Sequence, residues 1–171
     1  MSDEIINKAK KIKLIATDID GVWTDSKMYY TKDGVFMKSF STYDGMGADL
    51  LLKNNFIVAM ITSEYENIDI LHARAKKLKV KEVYTHEKDK LSRLKYLSEK
   101  YSLNKNQIAY IGDDINDLEA IKYAGLSASP PNTPILDYCN PDFITKRNSG
   151  LGAFRDFAEL IMHAQNINVK F

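Results

Sequence analysis

The sequence has little of what marks several large classes of protein. It contains a single cysteine, Cys139, so an intrachain disulfide is impossible and a cysteine-based zinc site is not expected. No apolar run approaches the roughly 20 residues that a membrane-spanning helix needs. Residues 1–13 are polar and charged and lack the apolar core of a signal peptide. These absences predict a cytoplasmic protein.

The sequence also lacks an excess of charge of either sign. Lys and Arg together number 24 and Asp and Glu number 23, which gives a formal net charge of +1. Proteins that bind nucleic acid or anionic membranes normally carry a basic surface, so we expect neither partner. With 44% hydrophobic and 27% charged residues, the composition is that of an ordinary globular protein. We expect one domain over residues 1–171.

What the sequence does have is a regular alternation of short apolar runs and segments with helical periodicity. Strands are predicted at residues 12–17, 56–61, 83–84, 107–111, 126–128 and 143–144. Helices are predicted at residues 45–54, 66–78, 89–101, 114–123 and 152–164. Because strands that alternate with helices form parallel β-α-β units, this order predicts an α/β fold with a doubly wound, Rossmann-like parallel sheet.

Residues 27–40 interrupt this alternation. Two aromatic, β-prone runs flank a Lys-Asp-Gly turn that ends at Gly34, a pattern typical of a β-hairpin. The segment is too short to be a folded cap domain, so we expect a hairpin that protrudes from a domain without a cap. The aromatic residues expected to be exposed on it are Tyr29, Tyr30, Phe36 and Phe40.

Polar residues follow three of the predicted strands at the point where each strand ends. Asp18 and Asp20 follow the first strand, Thr62 follows the second, and Asp113 follows the fourth. The carboxyl ends of parallel strands are where open α/β sheets bind ligands. The sequence therefore predicts an acidic site at this edge of the sheet.

Three carboxylates at adjacent strand ends would repel one another unless a cation lay between them. A hard divalent cation with oxygen ligands meets this need, and Mg²⁺ is the usual one when the substrate is a phosphate. We expect Asp18, Asp20 and Asp113 to hold it. Asp18 is then the candidate nucleophile, forming an aspartyl phosphate, and Asp20 is the candidate acid for the leaving oxygen.

Two further residues are candidates for binding the transferring phosphoryl group. Thr62 offers a hydroxyl and Lys90 a positive charge. Each has a plainer interpretation, since a threonine often caps a helix and a lysine often lies on a solvated helix face. Lys88 competes with Lys90 for this role.

The acidic residues beyond the fourth strand leave several roles open. Asp114 is able to bind metal, to hydrogen-bond its loop, or to cap the following helix. We assign the metal to Asp113 and expect Asp114 and Asp117 to orient the metal ligands without binding the metal themselves.

In order along the chain, these residues resemble the four motifs of the haloacid dehalogenase superfamily phosphatases. The motifs are residues 18–25, Thr62, Lys90 and residues 112–117, and the resemblance runs from about Ile12 to the closing helix. It implies an Mg²⁺-dependent phosphomonoester hydrolase.

A closer similarity is to the small capless branch of the superfamily. That branch includes the 3-deoxy-manno-octulosonate (KDO) 8-phosphate phosphatases and the phosphatases of nine-carbon sugar acids. The hairpin, residues 44–47 and residues 149–155 carry this similarity. It implies a small phosphorylated sugar acid as the substrate. It also implies a homotetramer in which the hairpins meet and a neighbouring subunit helps to close each active site.

The residues around the second motif bear on the substrate. Ser63 and Glu64 follow Thr62, where KDO 8-phosphate phosphatases usually have Gly-Arg, and the Glu resembles phosphatases of deaminoneuraminate (KDN) 9-phosphate or N-acylneuraminate 9-phosphate. Asp44 with Gly45 resembles the KDO type instead. We favour a nine-carbon substrate.

A longer loop before the next helix makes Glu66 the alternative to Glu64 at the specificity position. The resemblance also makes Arg74 a contact for the substrate carboxylate. The expected substrate-binding residues are Thr62, Ser63, Glu64, Arg74, Lys90, Asp44 and Gly45.

Two other functions compete with hydrolysis. One is a non-catalytic, oligomerising module of the kind associated with sugar-acid cytidylyltransferases, but such a module is expected to lose Asp18 or Asp20, and both are present. The other is a receiver-like signalling domain, which also has an acidic pocket. The position of Asp20-Gly21 directly after the first strand disfavours it.

Overall fold

The computed structural model of the chain describes residues 2–167. The strands are β1 (Leu14–Thr17), β2 (Tyr29–Thr31), β3 (Gly34–Met37), β4 (Ile57–Ile61), β5 (Glu82–Tyr84), β6 (Ile108–Ile111), β7 (Leu126–Ser129) and β8 (Phe143–Ile144). The helices are α1 (Asp3–Ala9), α2 (Thr42–Lys53), α3 (Asp69–Leu78), α4 (Lys90–Lys100), α5 (Leu118–Tyr123) and α6 (Ala153–Ala164). None of the helices in this part of the chain combines the length and apolar character needed to span a bilayer.

Six strands form one sheet in the order β5-β4-β1-β6-β7-β8, and every neighbouring pair is parallel. The chain builds the sheet outward from β1 on one side through β4 and β5, and then on the other side through β6, β7 and β8. The strand order therefore reverses at β1, where open α/β sheets form a ligand crevice. The predicted doubly wound α/β fold is confirmed.

Both faces of the sheet are covered by helices. Along β1, Ile15 points into a core shared with α1, α2, α3 and α6, whereas Leu14 and Ala16 point into a second core shared with α4 and α5. Side chains alternate between the two faces of a strand, so a strand covered on both sides must be apolar throughout. This explains why β1 reads as a continuous apolar run that ends at the first acidic motif.

The main differences from the predicted elements lie where the chain leaves the sheet. The predicted helix 66–78 begins at Asp69, because residues 62–68 form an irregular loop in which Asn67 has a positive φ of 46°. The helix predicted from Asp114 begins at Leu118, after a 3-10 turn over Ile115–Asp117. Both loops carry polar residues that line the crevice at the sheet edge.

Helix α1 was not predicted. Its N-terminus has an ordinary signal, since the Ser2 hydroxyl accepts a hydrogen bond from the backbone N–H of Ile5 and two acidic residues occupy the first turn. Only 7 residues long, the helix has too short a periodic pattern to be recognised from sequence.

The hairpin of β2 and β3 lies against the loop that follows β4. The side-chain amide of Asn67 donates to the Val35 carbonyl, and Val35 is the one buried residue of β3. Tyr30 and Phe36 are 63% and 68% exposed, as predicted. Phe40 was expected to be exposed as well, but it packs against the core beneath the guanidinium of Arg74.

Candidate active site

A polar pocket opens at the carboxyl ends of β1, β4 and β6. Of the predicted site residues, it is lined by Asp18, Asp20, Thr62, Ser63, Glu64, Asp113 and Asp114, and the lining is completed by Ser26, Met28, Tyr65, Ile115 and Asn116. Residues from all three strand ends thus meet, as their places in the sequence predict.

Two glycines leave space for acidic side chains of the site. Gly21 has a φ of +96°, and a Cβ there would lie 1.9 Å from Oδ2 of Asp113. A Cβ on Gly112 would lie 2.4 Å from Cγ of Asp117. Since contacts this short are impossible, any side chain at either position would push a carboxylate out of the site.

The backbone of Asp18 is held by a buried hydrogen-bond chain. The Trp23 indole N–H donates to the Thr17 hydroxyl over 3.1 Å, and that hydroxyl donates to the Asp18 carbonyl over 2.6 Å. The indole also stacks on Phe154 of α6, with ring centroids 4.6 Å apart. The loop after β1 is therefore anchored in the core directly beneath the candidate nucleophile.

Lys90, at the first position of α4, reaches the candidate nucleophile from below. Its Nζ lies 2.5 Å from Asp18 Oδ1 and 2.6 Å from Asp117 Oδ1, and its side chain is fully buried. Although burial opposes the charge, the carboxylates of Asp18 and Asp117 raise the pKa of the Lys90 ammonium above its usual value. Lys88 is exposed, so Lys90 is the lysine that the structure brings to the site.

Asp117 organises the loop rather than facing the pocket. Its Oδ1 accepts hydrogen bonds from Lys90 Nζ and from the Tyr110 hydroxyl, and its Oδ2 accepts from the backbone N–H groups of Asp113 and Asp114. Both oxygens already have two donors each. The carboxylate is therefore fully used in fixing Asp113 and Lys90 with respect to each other.

The site has more negative than positive charge. One carboxylate oxygen from each of Asp18, Asp113 and Asp117 lies within 4.8 Å of the others, and all three residues are buried. Burial raises the pKa of Asp18 to about 7 against the opposing effect of Lys90. Burial, together with the charges of Asp18 and Asp117, raises the pKa of Asp113 to about 9. One lysine does not neutralise three carboxylates.

This charge distribution fits a divalent cation. A hard cation binds carboxylate oxygens, and its charge would favour the ionised forms that burial disfavours. Because the oxygens of Asp117 are occupied, Asp18 and Asp113 have the carboxylates open to a metal. Asp114 instead caps the 3-10 turn, its Oδ1 accepting from the N–H of Ile115 over 2.7 Å.

On the β4 side, the loop that starts at Thr62 places three polar residues in the pocket, Thr62, Ser63 and Glu64. The Thr62 hydroxyl accepts from the N–H of Glu64 over 3.0 Å, and the Ser63 hydroxyl donates to the Glu87 carbonyl over 3.1 Å. Glu64 lines the pocket, whereas the carboxylate of Glu66 lies beside Gly34 of the hairpin. Of the two glutamates, the structure therefore brings only Glu64 to the candidate site.

Three predicted substrate contacts are not brought to the pocket within this chain. Asp44 is fully buried, and its carboxylate accepts from the backbone N–H groups of Gly152 and Arg155, over 3.2 and 3.0 Å, where α2 meets α6. Arg74 Nη2 donates to the Ser41 carbonyl and lies where a side chain on Gly45 would need to be. In this structure these residues connect α2, α3 and α6.

The chain is similar over most of its length to a known family of hydrolases. The haloacid dehalogenase-like hydrolases match residues 3–132. The chain belongs to this family. The predicted type of enzyme, a haloacid dehalogenase-type phosphatase, is confirmed.

Three relatives of the chain are KDO 8-phosphate phosphatases. The chain is 31% identical to the KDO 8-phosphate phosphatase of Yersinia pestis over 166 aligned residues. The alignment covers 97% of this chain and 88% of that protein. The structure of the Moraxella catarrhalis KDO 8-phosphate phosphatase, in complex with magnesium, phosphate and KDO, is 37% identical with a TM-score of 0.91, covering 97% and 94% of the two chains. The cobalt-bound Haemophilus influenzae enzyme is 32% identical with a TM-score of 0.87, covering 93% and 92%.

Three residues that were not predicted from the sequence contact predicted residues of the candidate site. Tyr110 donates to Asp117, Asn116 donates to the Ser63 hydroxyl over 3.3 Å, and Lys38 pairs with Asp20 over 2.8 Å. Tyr110 occupies a strand position that favours any large apolar residue, so no signal marks its hydroxyl. Lys38 comes just after the hairpin, where a lysine is ordinarily exposed.

Because Asp117 accepts four hydrogen bonds, its substitution is expected to affect both stability and activity. An asparagine side chain has one acceptor oxygen in place of two, so Asp117→Asn is expected to destabilise the fold by about 2–4 kcal/mol and to lower kcat. Tyr110→Phe removes one of the four bonds and should cost about 1 kcal/mol. Urea unfolding and steady-state assays measure both effects. Equal stability of the two variants would contradict a central role for Asp117.

Proposed function

We propose that this chain is a cytoplasmic phosphatase that hydrolyses the phosphomonoester of a 3-deoxy-2-ulosonic acid through an aspartyl phosphate on Asp18. The observation that carries the proposal is the contact of Asp18 with Lys90 at the floor of a pocket that Asp113 also lines. To these neighbouring groups we assign the roles of nucleophile (Asp18), fixed positive charge (Lys90) and metal-binding carboxylate (Asp113). Those are the groups that phosphoryl transfer requires.

In the first step, Asp18 attacks phosphorus and the bond from phosphorus to the sugar oxygen breaks. Asp20 gives its proton to that oxygen, so the sugar leaves as a neutral alcohol. In the second step, a water molecule attacks phosphorus, its proton passes to Asp20, and the bond to Asp18 breaks. Thr62 and Lys90 orient and neutralise the phosphoryl oxygens in both steps.

The ligands that we propose for Mg²⁺ are the carboxylates of Asp18 and Asp113 and the backbone carbonyl of Asp20. When bound, the ion supplies charge that lets an anionic nucleophile approach an anionic phosphate. The fit rests on the surplus of buried carboxylate charge around these residues. The magnesium found in the Moraxella catarrhalis relative supports this choice of ion.

Activity is expected to require both Asp18 and Mg²⁺. With Mg²⁺, the parent chain should release phosphate from KDO 8-phosphate or a nine-carbon analogue, and EDTA should abolish the release until Mg²⁺ is restored. Asp18→Asn should lower kcat by roughly 10⁴-fold or more, because the nucleophile is lost, while the variant remains folded. Near-normal turnover by Asp18→Asn, or full activity after exhaustive chelation, would refute the mechanism.

KDO 8-phosphate is the first substrate to test, since the named relatives are KDO 8-phosphate phosphatases. A nine-carbon acid such as KDN 9-phosphate is the second, and the position of Glu64 favours it. Its Oε1 accepts from the N–H groups of Tyr65 and Glu66, both over 2.8 Å, which fixes the carboxylate in the pocket lining. A fixed anion there accepts hydroxyl or amide donors and repels a substrate carboxylate.

Glu64→Arg is therefore expected to change the ratio of kcat/KM for KDO 8-phosphate and KDN 9-phosphate, by roughly tenfold or more. Glu64→Gln, which keeps an acceptor but removes the charge, should change the ratio less. Glu66→Arg is the matched control, since its side chain lies beside the hairpin, and it should leave the ratio unchanged. A change with Glu66→Arg alone would assign specificity to the other glutamate.

We also propose a homotetramer built on the hairpin. Its two strands expose Tyr29, Tyr30, Phe36 and Met37, from 45% to 68% each. Such a group of large apolar side chains marks a contact surface more often than a solvated one. A neighbouring subunit seated there would also border the pocket, because the hairpin lies against the loop that carries Glu64.

Phe36→Ser should accordingly shift the assembly toward smaller species in light scattering, because it removes the most exposed aromatic ring of the hairpin. Tyr138→Ser is the control: Tyr138 is similarly exposed, at 57%, but lies away from the hairpin in sequence and should leave the mass unchanged. A parent chain that is a stable, fully active monomer would rule out the tetramer.

A further inference from the structure

Lys38, in the segment that follows β3, is a lysine whose side chain has little access to solvent. Its side chain is 5% exposed. Its Nζ lies 2.8 Å from Asp20 Oδ2 and 3.6 Å from Glu64 Oε2. A single ammonium group thus connects the hairpin, the loop after β1 and the loop after β4.

The contact with Lys38 is the only hydrogen bond that the structure shows for the carboxylate of Asp20 within residues 2–167. The other oxygen, Oδ1, is buried and has no partner among these residues. A carboxylate with one hydrogen bond depends on that bond for its orientation. Lys38 therefore decides where Asp20 points.

Each of the two buried lysines of the site contacts one of the two acidic residues that directly follow β1. Lys90 contacts Asp18, and Lys38 contacts Asp20. Burial of an ammonium group is costly unless its partners stay in place. Lys38 is therefore expected to hold both carboxylates that it touches, rather than to exchange one for solvent.

We propose that Lys38 is a positioning residue for proton transfer to the leaving oxygen. This inference rests on the proposed function, in which Asp20 protonates that oxygen. By donating to Oδ2, Lys38 leaves Oδ1 of Asp20 to carry the proton and directs it to the bond from phosphorus to the sugar, while the attack by Asp18 on phosphorus depends on Lys90. Loss of Lys38 should thus impair departure of the leaving group and spare the nucleophile.

The distinction can be measured because the need for a proton depends on the leaving group. A sugar alkoxide is a strong base, so the bond from phosphorus to oxygen breaks readily only when a proton reaches the oxygen. The oxygen of 4-nitrophenyl phosphate leaves as a stable phenolate and needs no proton. The constant to compare is kcat/KM, because it reports the step in which the leaving group departs and excludes the later hydrolysis of the aspartyl phosphate.

The experiment compares Lys38→Met, Lys38→Gln and Lys38→Arg with the parent, using the sugar-acid phosphate that the parent hydrolyses and 4-nitrophenyl phosphate. Lys38→Met should lower kcat/KM for the sugar phosphate by roughly 10²- to 10⁴-fold, the usual contribution of general acid catalysis. The loss with 4-nitrophenyl phosphate should be at least tenfold smaller. Lys38→Arg, which keeps the charge, should recover part of the loss.

Lys32→Met is the matched control, since Lys32 is an exposed lysine at the turn of the same hairpin, and it should behave as the parent does with both substrates. Melting temperatures identify the folded variants, and if Lys38→Met does not fold, Lys38→Gln decides. Equal losses with both substrates in a folded variant, or no loss with either, would overturn the role of Lys38. A parent that hydrolyses no phosphomonoester would overturn the proposed function itself, which is a different result.

Discussion

The site depends on keeping buried carboxylates close together against their mutual repulsion. Asp18, Asp113 and Asp117 lie with oxygens within 4.8 Å of one another, and one buried lysine contacts two of them. Such an arrangement is stable only if the surrounding chain prevents the carboxylates from moving apart. The parallel sheet does this, because the ends of β1 and β6 are hydrogen-bonded neighbours whose loops cannot separate.

Much of the core around the site also helps to hold these carboxylates in position. Trp23 fills space against Phe154 and also holds the backbone at Asp18 through Thr17. Gly21 and Gly112 contribute by having no side chain, which leaves room for the carboxylates that pack against them. Packing, backbone conformation and charge are thus coupled here, so substitutions in this region cannot be classified as purely structural or purely catalytic.

The sequence predicted the fold and the centre of the site because each depends on local patterns. Apolar runs indicated the strands, and the acidic residues that follow them were placed together by the known geometry of parallel sheets. Contacts between distant side chains were not predictable in this way. Asp44 and Arg74 were assigned to the substrate by resemblance, but in this chain they join helices, and which partners they find depends on how α2, α3 and α6 pack. Lys38 was missed for the same reason.

The hairpin combines an exposed apolar surface with a contact to the site. Its strands expose large apolar side chains, while the segment that follows its second strand sends Lys38 inward to Asp20 and Glu64. A displacement of this segment would therefore move Lys38 away from both carboxylates. Because Asn67 fixes the hairpin to the loop that also carries Glu64, the hairpin cannot shift without moving groups on two sides of the site. In a site without a cap domain, contacts from the hairpin and from the segment after it can in this way hold the side chains of the pocket in place.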